Sequence, residues 1–277
     1  MKRLSNISLL HYIKLGLRLA VFFAMCIIYV RGRLLGNTDP FGFLREIGLL
    51  HFLVFGVFAV EVTFRFFPSR LESMGCQKQF AHNYIPTVES EGGRHRLGTW
   101  RSTLAVLLAW LGLNGGIAAL YYTGIIDEGI LVLIFLFYSV SDMICILFFC
   151  PFQTWFMKNK CCGSCRIYNW DYAMMFTPLV LIPHPMARAL FLMGALLLAV
   201  WEITLLLHPE RFDVATNGAL RCANCPEKLC HHKAQLRGFL KKHRERFRVK
   251  ENIALLADRL QKRLPKRKKQ DDDDKEN

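Results

Sequence analysis

The chain is poor in acidic residues and lacks the familiar catalytic signatures. Of 277 residues, 22 are Asp or Glu against 36 Lys or Arg, a formal net charge of +14. There is no Gly-rich phosphate loop, no Gly-x-Ser-x-Gly turn and no His-Glu-x-x-His helix. These absences argue against a P-loop ATPase, an α/β-hydrolase and a zincin. No internal repeat of fixed period and no inverted duplication of the kind common in transporters is visible. The first apolar stretch is followed by Arg31-Gly32-Arg33 rather than a small-x-small cleavage pattern. It therefore reads as an uncleaved span and not as a signal peptide.

What the chain has in excess is apolar residues, at 53% hydrophobic and 13% aromatic. A soluble surface would have to disperse the positive charge and hide that many hydrophobes together. Instead the two segregate, and 19 of the 36 Lys and Arg follow Leu207. A secreted disulfide scaffold, a disordered chain and an ordinary cytosolic enzyme are excluded as whole-chain readings.

A helix crossing about 30 Å of hydrocarbon needs roughly 20 mostly apolar residues. Blocks at 12–30, 44–67, 103–126, 129–149 and 186–207 qualify, and 168–183, which is shorter and contains Pro178, is read as a further span. The positive-inside rule puts Met1-Lys2-Arg3, the loops 68–101 and 151–171, and the basic tail in the cytoplasm. Arg31, Arg33, Asp127, Glu128 and His184-Pro185 then fall outside. Six crossings with both termini cytoplasmic satisfy this charge pattern. The expected fold is an all-α polytopic membrane protein of the cell membrane, a six-helix bundle over 1–207. A cytoplasmic Cys-rich segment with a basic amphipathic helix follows at 208–264, then a disordered charged tail at 265–277. The tail's Asp271 to Lys275 run matches an enterokinase recognition sequence and carries no functional weight.

Two cytoplasmic segments hold most of the cysteines: Cys161-Cys162-Gly163-Ser164-Cys165, and Cys222 to Cys230 followed by His231-His232. A C-x2-C turn converges two thiolates on one ion, and two such turns complete a tetrahedral site. Cys162, Cys165, Cys222 and Cys225 are the expected ligands, with Cys150, Cys161 and Cys230 as additional candidates. Two intervening spans return the second pair to the face of the first. A reducing cytosol favours ligation over disulfides, with structural zinc as the first choice. A [4Fe–4S] or [2Fe–2S] cluster is the alternative, suggested by the surplus cysteines and by Pro151 and Pro226 directly after Cys150 and Cys225. Over five residues, Cys161-Cys162-Gly163 with Cys222 and Cys225 resembles the cluster-binding CCG domain of heterodisulfide-reductase-type proteins. It departs from that domain in Cys165 and in a spacer holding two spans, and no function is transferred.

Ionisable side chains at membrane depth are costly and turn inward, pair, or line water-filled cavities. Arg18, Glu61, Asp142 and Glu202 each lie roughly 8–12 Å from the cytoplasmic end of their spans at about 1.5 Å per residue. They form one expected layer. Arg18 has a bland alternative in snorkelling, and Glu61 in a local pair with Arg65. His51 and Arg45 lie toward the outer side, Asn114-Gly115-Gly116 suggests close helix packing, and the aromatics 168–172 suggest headgroup anchors. The tail's helical periodicity predicts membrane lipid as its partner, through anionic inner-leaflet headgroups. No nucleic-acid motif accompanies its charge. The expected activity is binding or passage of a proton, cation or small polar solute at the carboxylate layer. A membrane redox enzyme and an assembly factor or scaffold docking a protein partner are the alternatives.

Overall fold

Inside hydrocarbon a backbone must satisfy its own N–H and C=O groups, and long helices are how a single segment does so. The computed structural model describes residues 6–36, 48–69, 72–87, 100–159 and 161–225, without the side chains of residues 6 and 48–53. The helices are α1 (Asn6–Leu34), α2 (Gly48–Arg65), α3 (Met74–Gln77), α4 (Trp100–Tyr122), α5 (Glu128–Leu147), α6 (Asp171–Phe176) and α7 (Pro185–Leu207). Among the described residues, α1, α4, α5 and α7 are long and apolar enough to cross a membrane. Their outward faces leave side chains such as Leu17, Ile27, Leu108, Leu196 and Ile203 exposed. Apolar surface on this scale suits lipid and not water. No strand occurs among the described residues beyond an isolated bridge between Pro86 and Asn217.

Local chemistry sets the helix ends. Gly124, at φ +74°, closes α4. Its N–H donates to Tyr121 O and that of Ile125 donates to Leu120 O, each at 3.0 Å, which satisfies the last carbonyls in a Schellman arrangement. Asp127 then caps α5 by accepting from Ile130 N at 2.8 Å. The turn reverses the chain, and Trp110 on α4 meets Tyr138 on α5 with ring centroids 4.8 Å apart. α1 also runs antiparallel to α5. Tyr29 donates to Asp127 at one end, Arg18 donates to Ser139 O midway, and Tyr12 meets Phe148 edge-on at the other.

The span expected at 168–183 is not one continuous helix. A 3₁₀ turn at Tyr168–Trp170, α6, and a second 3₁₀ turn at Thr177–Leu181 follow one another. Pro178 lacks an N–H, and non-helical backbone is tolerated at membrane depth only where protein covers it. Phe176 and Leu179 are fully buried accordingly. Arg166 and Trp170 meet Glu202 while Phe176 packs on Gly194, so the segment runs antiparallel along α7. Trp170 and Tyr172 are buried rather than placed as headgroup anchors, because their polar groups find partners inside the bundle. The aromatic core of Phe58, Phe135 and Phe176, with centroids 4.9–6.2 Å apart, joins α2, α5 and α6.

The α6–α7 contact depends on a missing side chain. A Cβ at Gly194 would stand 3.0 Å from Phe176 Cδ2, 3.1 Å from Tyr172 O and 3.2 Å from Ala173 N. Gly194→Ala is therefore expected to cost about 1–3 kcal/mol through overpacking. Gly16→Ala, whose Cβ meets nothing within 4 Å, serves as the comparison. Equal thermal midpoints for the two variants in detergent would contradict this docking. At Asn114-Gly115-Gly116, by contrast, α4 continues unbroken and added Cβ atoms on both glycines meet nothing within 4 Å. The close packing expected there is absent among the described residues.

Candidate functional site

Seven basic and acidic side chains of the bundle form one connected set. On α1, Arg18 donates to Glu61 on α2 and, at 3.2 Å, to Asp142 on α5. Lys14, one turn earlier, stands 3.5 Å from Glu61 and 3.8 Å from Glu72. Glu72 lies 3.2 Å from Arg65, whose other side lies 3.2 Å from Asp171 at the start of α6. The chain is thus Asp142, Arg18, Glu61, Lys14, Glu72, Arg65, Asp171. No side chain in it is more than 20% exposed. It holds four carboxylates and three cations.

Neutral groups hold the two arginines in place. Arg65 donates to Asn169 Oδ1 at 2.9 Å, and its guanidinium lies 5.2 Å from the Tyr172 ring centroid. Gln79 donates to Arg65 O at 2.8 Å. Arg18 sits 5.5 Å over Phe58 and donates to Ser139 O at 2.9 Å. At 7% exposure it does not snorkel. His11 is 3% exposed, and neither of its ring nitrogens has a hydrogen-bond partner among the described residues. The charges acting on its ring are those of Lys14, Glu72, Arg65 and Arg18.

A cavity of about 140 Å³ adjoins this set. Asp142 and Asp171 stand in its wall together with Trp110, Tyr138, Phe152 and Tyr168. Ser141, Asp142 and Cys145 reach it from α5 because positions three and four apart share a helix face. Cys150, Cys162 and Cys165 complete much of the remainder.

The expected metal ligands are distributed as follows. Cys162 and Cys165 reach the cavity, as does Cys150, whereas Cys222 is exposed in a 3₁₀ turn at Cys222–Asn224 and Cys225 is half-buried. Cys230, His231 and His232 lie outside the described residues, as do the basic tail, Arg45 and the side chain of His51. Among the described residues no group of three or more His, Cys, Asp or Glu is disposed to hold a metal ion. Cys162 donates to Gln153 Oε1 at 2.9 Å. Burial pushes the Cys165 thiol up to about 11, against the charge of Lys78, so it is protonated at neutral pH.

Lys78 ties the Cys-rich loop to the bundle. Fully buried, it donates to Gly163 O at 3.2 Å and Cys165 O at 2.8 Å beneath the rings of Trp201 and Phe212. Burial lowers its ammonium from 10.5 to about 8. Below pH 8 both folded and unfolded chains carry this proton. Between about 8 and 10.5 only the unfolded chain does, so stability rises with pH through that window. The buried thiols of Cys76 and Cys165 work oppositely, since their folded values near 12 and 11 exceed 9.0. Their contribution is complete below pH 9 and is lost above it. From pH 8 to 9 chemical denaturation of the wild type should therefore show a gain of up to about 1 kcal/mol. Lys78→Met should flatten that gain, and an unchanged slope would contradict the assignment.

Glu202 does not join the other three expected members of the layer. Both its oxygens accept from Arg166, one of them at 2.8 Å, and Oε1 also accepts from Trp170 Nε1 at 2.7 Å. Arg166 comes from the Cys-rich loop, closer to Glu202 than Arg18 is brought by its helix. Arg65 likewise turns away from Glu61, its neighbour one turn back, toward Glu72 and Asp171. Lys14, Glu72, Asp171 and His11 are additional site residues that depth within a span did not single out.

No family model matches the chain, and neither a curated protein nor a solved structure matches it.

Proposed function

We propose that this is an integral protein of the cell membrane with six crossings and cytoplasmic termini. Its buried ion-pair set takes up and passes a proton or a monovalent cation. The observation that carries this reading is the charge count: four carboxylates share three cations at no more than 20% exposure. An uncompensated charge in such a setting costs several kcal/mol. With the buried His11 imidazole neutral, the set is balanced only when it holds one additional positive charge. Asp142 and Asp171 are the receiving pair, since both face the cavity, while Arg18 and Arg65 keep their positions fixed.

The antiparallel runs of α1 with α5, of α4 with α5 and of the broken segment with α7 support alternating crossings. The distribution of Lys and Arg supports cytoplasmic ends. The basic tail would lie on anionic headgroups. A thiolate metal site, whether zinc or an iron–sulfur cluster, has no grouping among the described residues to support it. Cation uptake at Asp142 and Asp171 does not depend on one.

Vesicles containing the purified chain and a trapped pH indicator test the proposal under an imposed proton gradient or voltage. Asp142→Asn removes a charge-assisted contact worth about 1.5–3 kcal/mol and is expected to slow uptake about tenfold or more. Uptake at the wild-type rate would contradict the role of Asp142.

A further inference from the structure

We infer that the cavity beside Asp142 and Asp171 binds a small organic ammonium ion, which enters in exchange for one proton. This rests on the reading of the ion-pair set as one positive charge short, and it names the class of cation. A bare proton needs no cavity, and a hard cation such as Ca²⁺ or Mg²⁺ takes an all-oxygen shell, whereas this wall carries six sulfur-bearing side chains and four aromatic rings. Here the space measures about 140 Å³, close to the roughly 150 Å³ of an apolar cavity that admits benzene. Asp142 and Asp171 are the carboxylates of its lining, and the rest of the wall is largely aromatic and sulfur-bearing.

That wall suits an alkylammonium. Trp110, Tyr138, Phe152 and Tyr168 line the cavity, and aromatic rings attract a cation electrostatically over their faces. The Trp110 and Tyr138 centroids are 4.8 Å apart, and Trp110 and Phe152 are 6.4 Å apart, so these rings form one connected surface. The Tyr138 hydroxyl is buried without a hydrogen-bond partner among the described residues, leaving a polar atom for an N–H or hydroxyl of the ligand. The cysteines add polarizable surface, and Cys162 donates a hydrogen bond to Gln153 Oε1.

Charge balance sets the exchange. Asp142 is faced by Arg18 on α1, by Glu61 and Arg65 on α2, and by Asp171 at the start of α6. With one proton on these carboxylates the seven groups sum to zero. An ammonium ion entering beside them leaves a surplus of one unless that proton departs. No bond is made or broken other than the carboxyl O–H, whose proton goes to water.

Isothermal titration of the full chain in detergent with tetramethylammonium tests this, in two buffers of different ionisation enthalpy so that protons are counted. The expected result is saturable binding with one proton released per ion, and no binding of the bulkier tetrabutylammonium. Asp142→Asn and Trp110→Leu are each expected to weaken binding about tenfold or more. Trp155→Leu, at an exposed ring outside the cavity, is expected to leave it unchanged. Absence of tetramethylammonium binding while vesicles still take up protons would overturn this inference and spare the broader function. Tight binding of silver ion alone would overturn it in favour of a soft-metal site at the cysteines. Loss of both proton uptake and ammonium binding in the wild type would remove the cation reading as well.

Discussion

Arg65→Met is expected to destabilise the protein by about 3–5 kcal/mol, the usual cost of removing one member of a buried ion pair. Arg65 is 3% exposed and is the contact of two carboxylates, Glu72 and Asp171, on separate segments. It also holds Asn169, which in turn donates to Gln79. Methionine fills similar volume, so the loss is electrostatic and not a void. The set would then carry four carboxylates against two cations, raising the deficit from one charge to two. Acid should relieve part of the loss by protonating carboxylates, and Arg65→Met combined with Asp171→Asn should lose less than Arg65→Met alone. Thermal unfolding of detergent-solubilised variants at two pH values checks this. A single-variant loss under 1 kcal/mol, independent of pH, would show that the three segments do not share this clamp.

The second large effect is expected at Glu202. Glu202→Ala strands Arg166, which is 9% exposed and has both terminal nitrogens engaged by that carboxylate. The Glu202 side chain is 27% exposed, which lowers the expected loss to about 2–3 kcal/mol. Trp170 also loses its acceptor, freeing the entry of the broken segment from α7. Glu202→Gln keeps a hydrogen-bond acceptor for Trp170 and should lose less. The effect is local in consequence: cysteine labelling in the 161–165 loop should rise in Glu202→Ala while the Arg18 pairs stay intact. Labelling at the wild-type rate would contradict the assigned clamp.

Much of the bundle is legible in hydropathy because lipid imposes both length and helicity. The blocks at 12–30, 103–126, 129–149 and 186–207 correspond to α1, α4, α5 and α7 with ends shifted by a few residues. Pro178 signals that 168–183 is unusual, but only tertiary cover on Phe176 and Leu179 determines that its backbone may leave the α conformation. Arg18, Glu61 and Asp142 are readable as a layer from their depth alone. Glu202 shares that depth yet pairs with Arg166, because a loop that folds back against a helix leaves no periodicity to read. Glu72 and Asp171 escape for the same reason. The cysteine spacing gives local turns correctly, since Cys165 N donates to Cys162 O at 2.9 Å, but spacing within each turn says nothing about whether two turns meet.

The most direct measurement of the charge deficit is infrared spectroscopy of the carboxyl C=O stretch near neutral pH, in buffer free of organic cations. One buried protonated carboxyl is expected in the wild type, absent or shifted in Asp142→Asn or Asp171→Asn and displaced as tetramethylammonium is added. A spectrum with every buried carboxyl ionised under these conditions would contradict it.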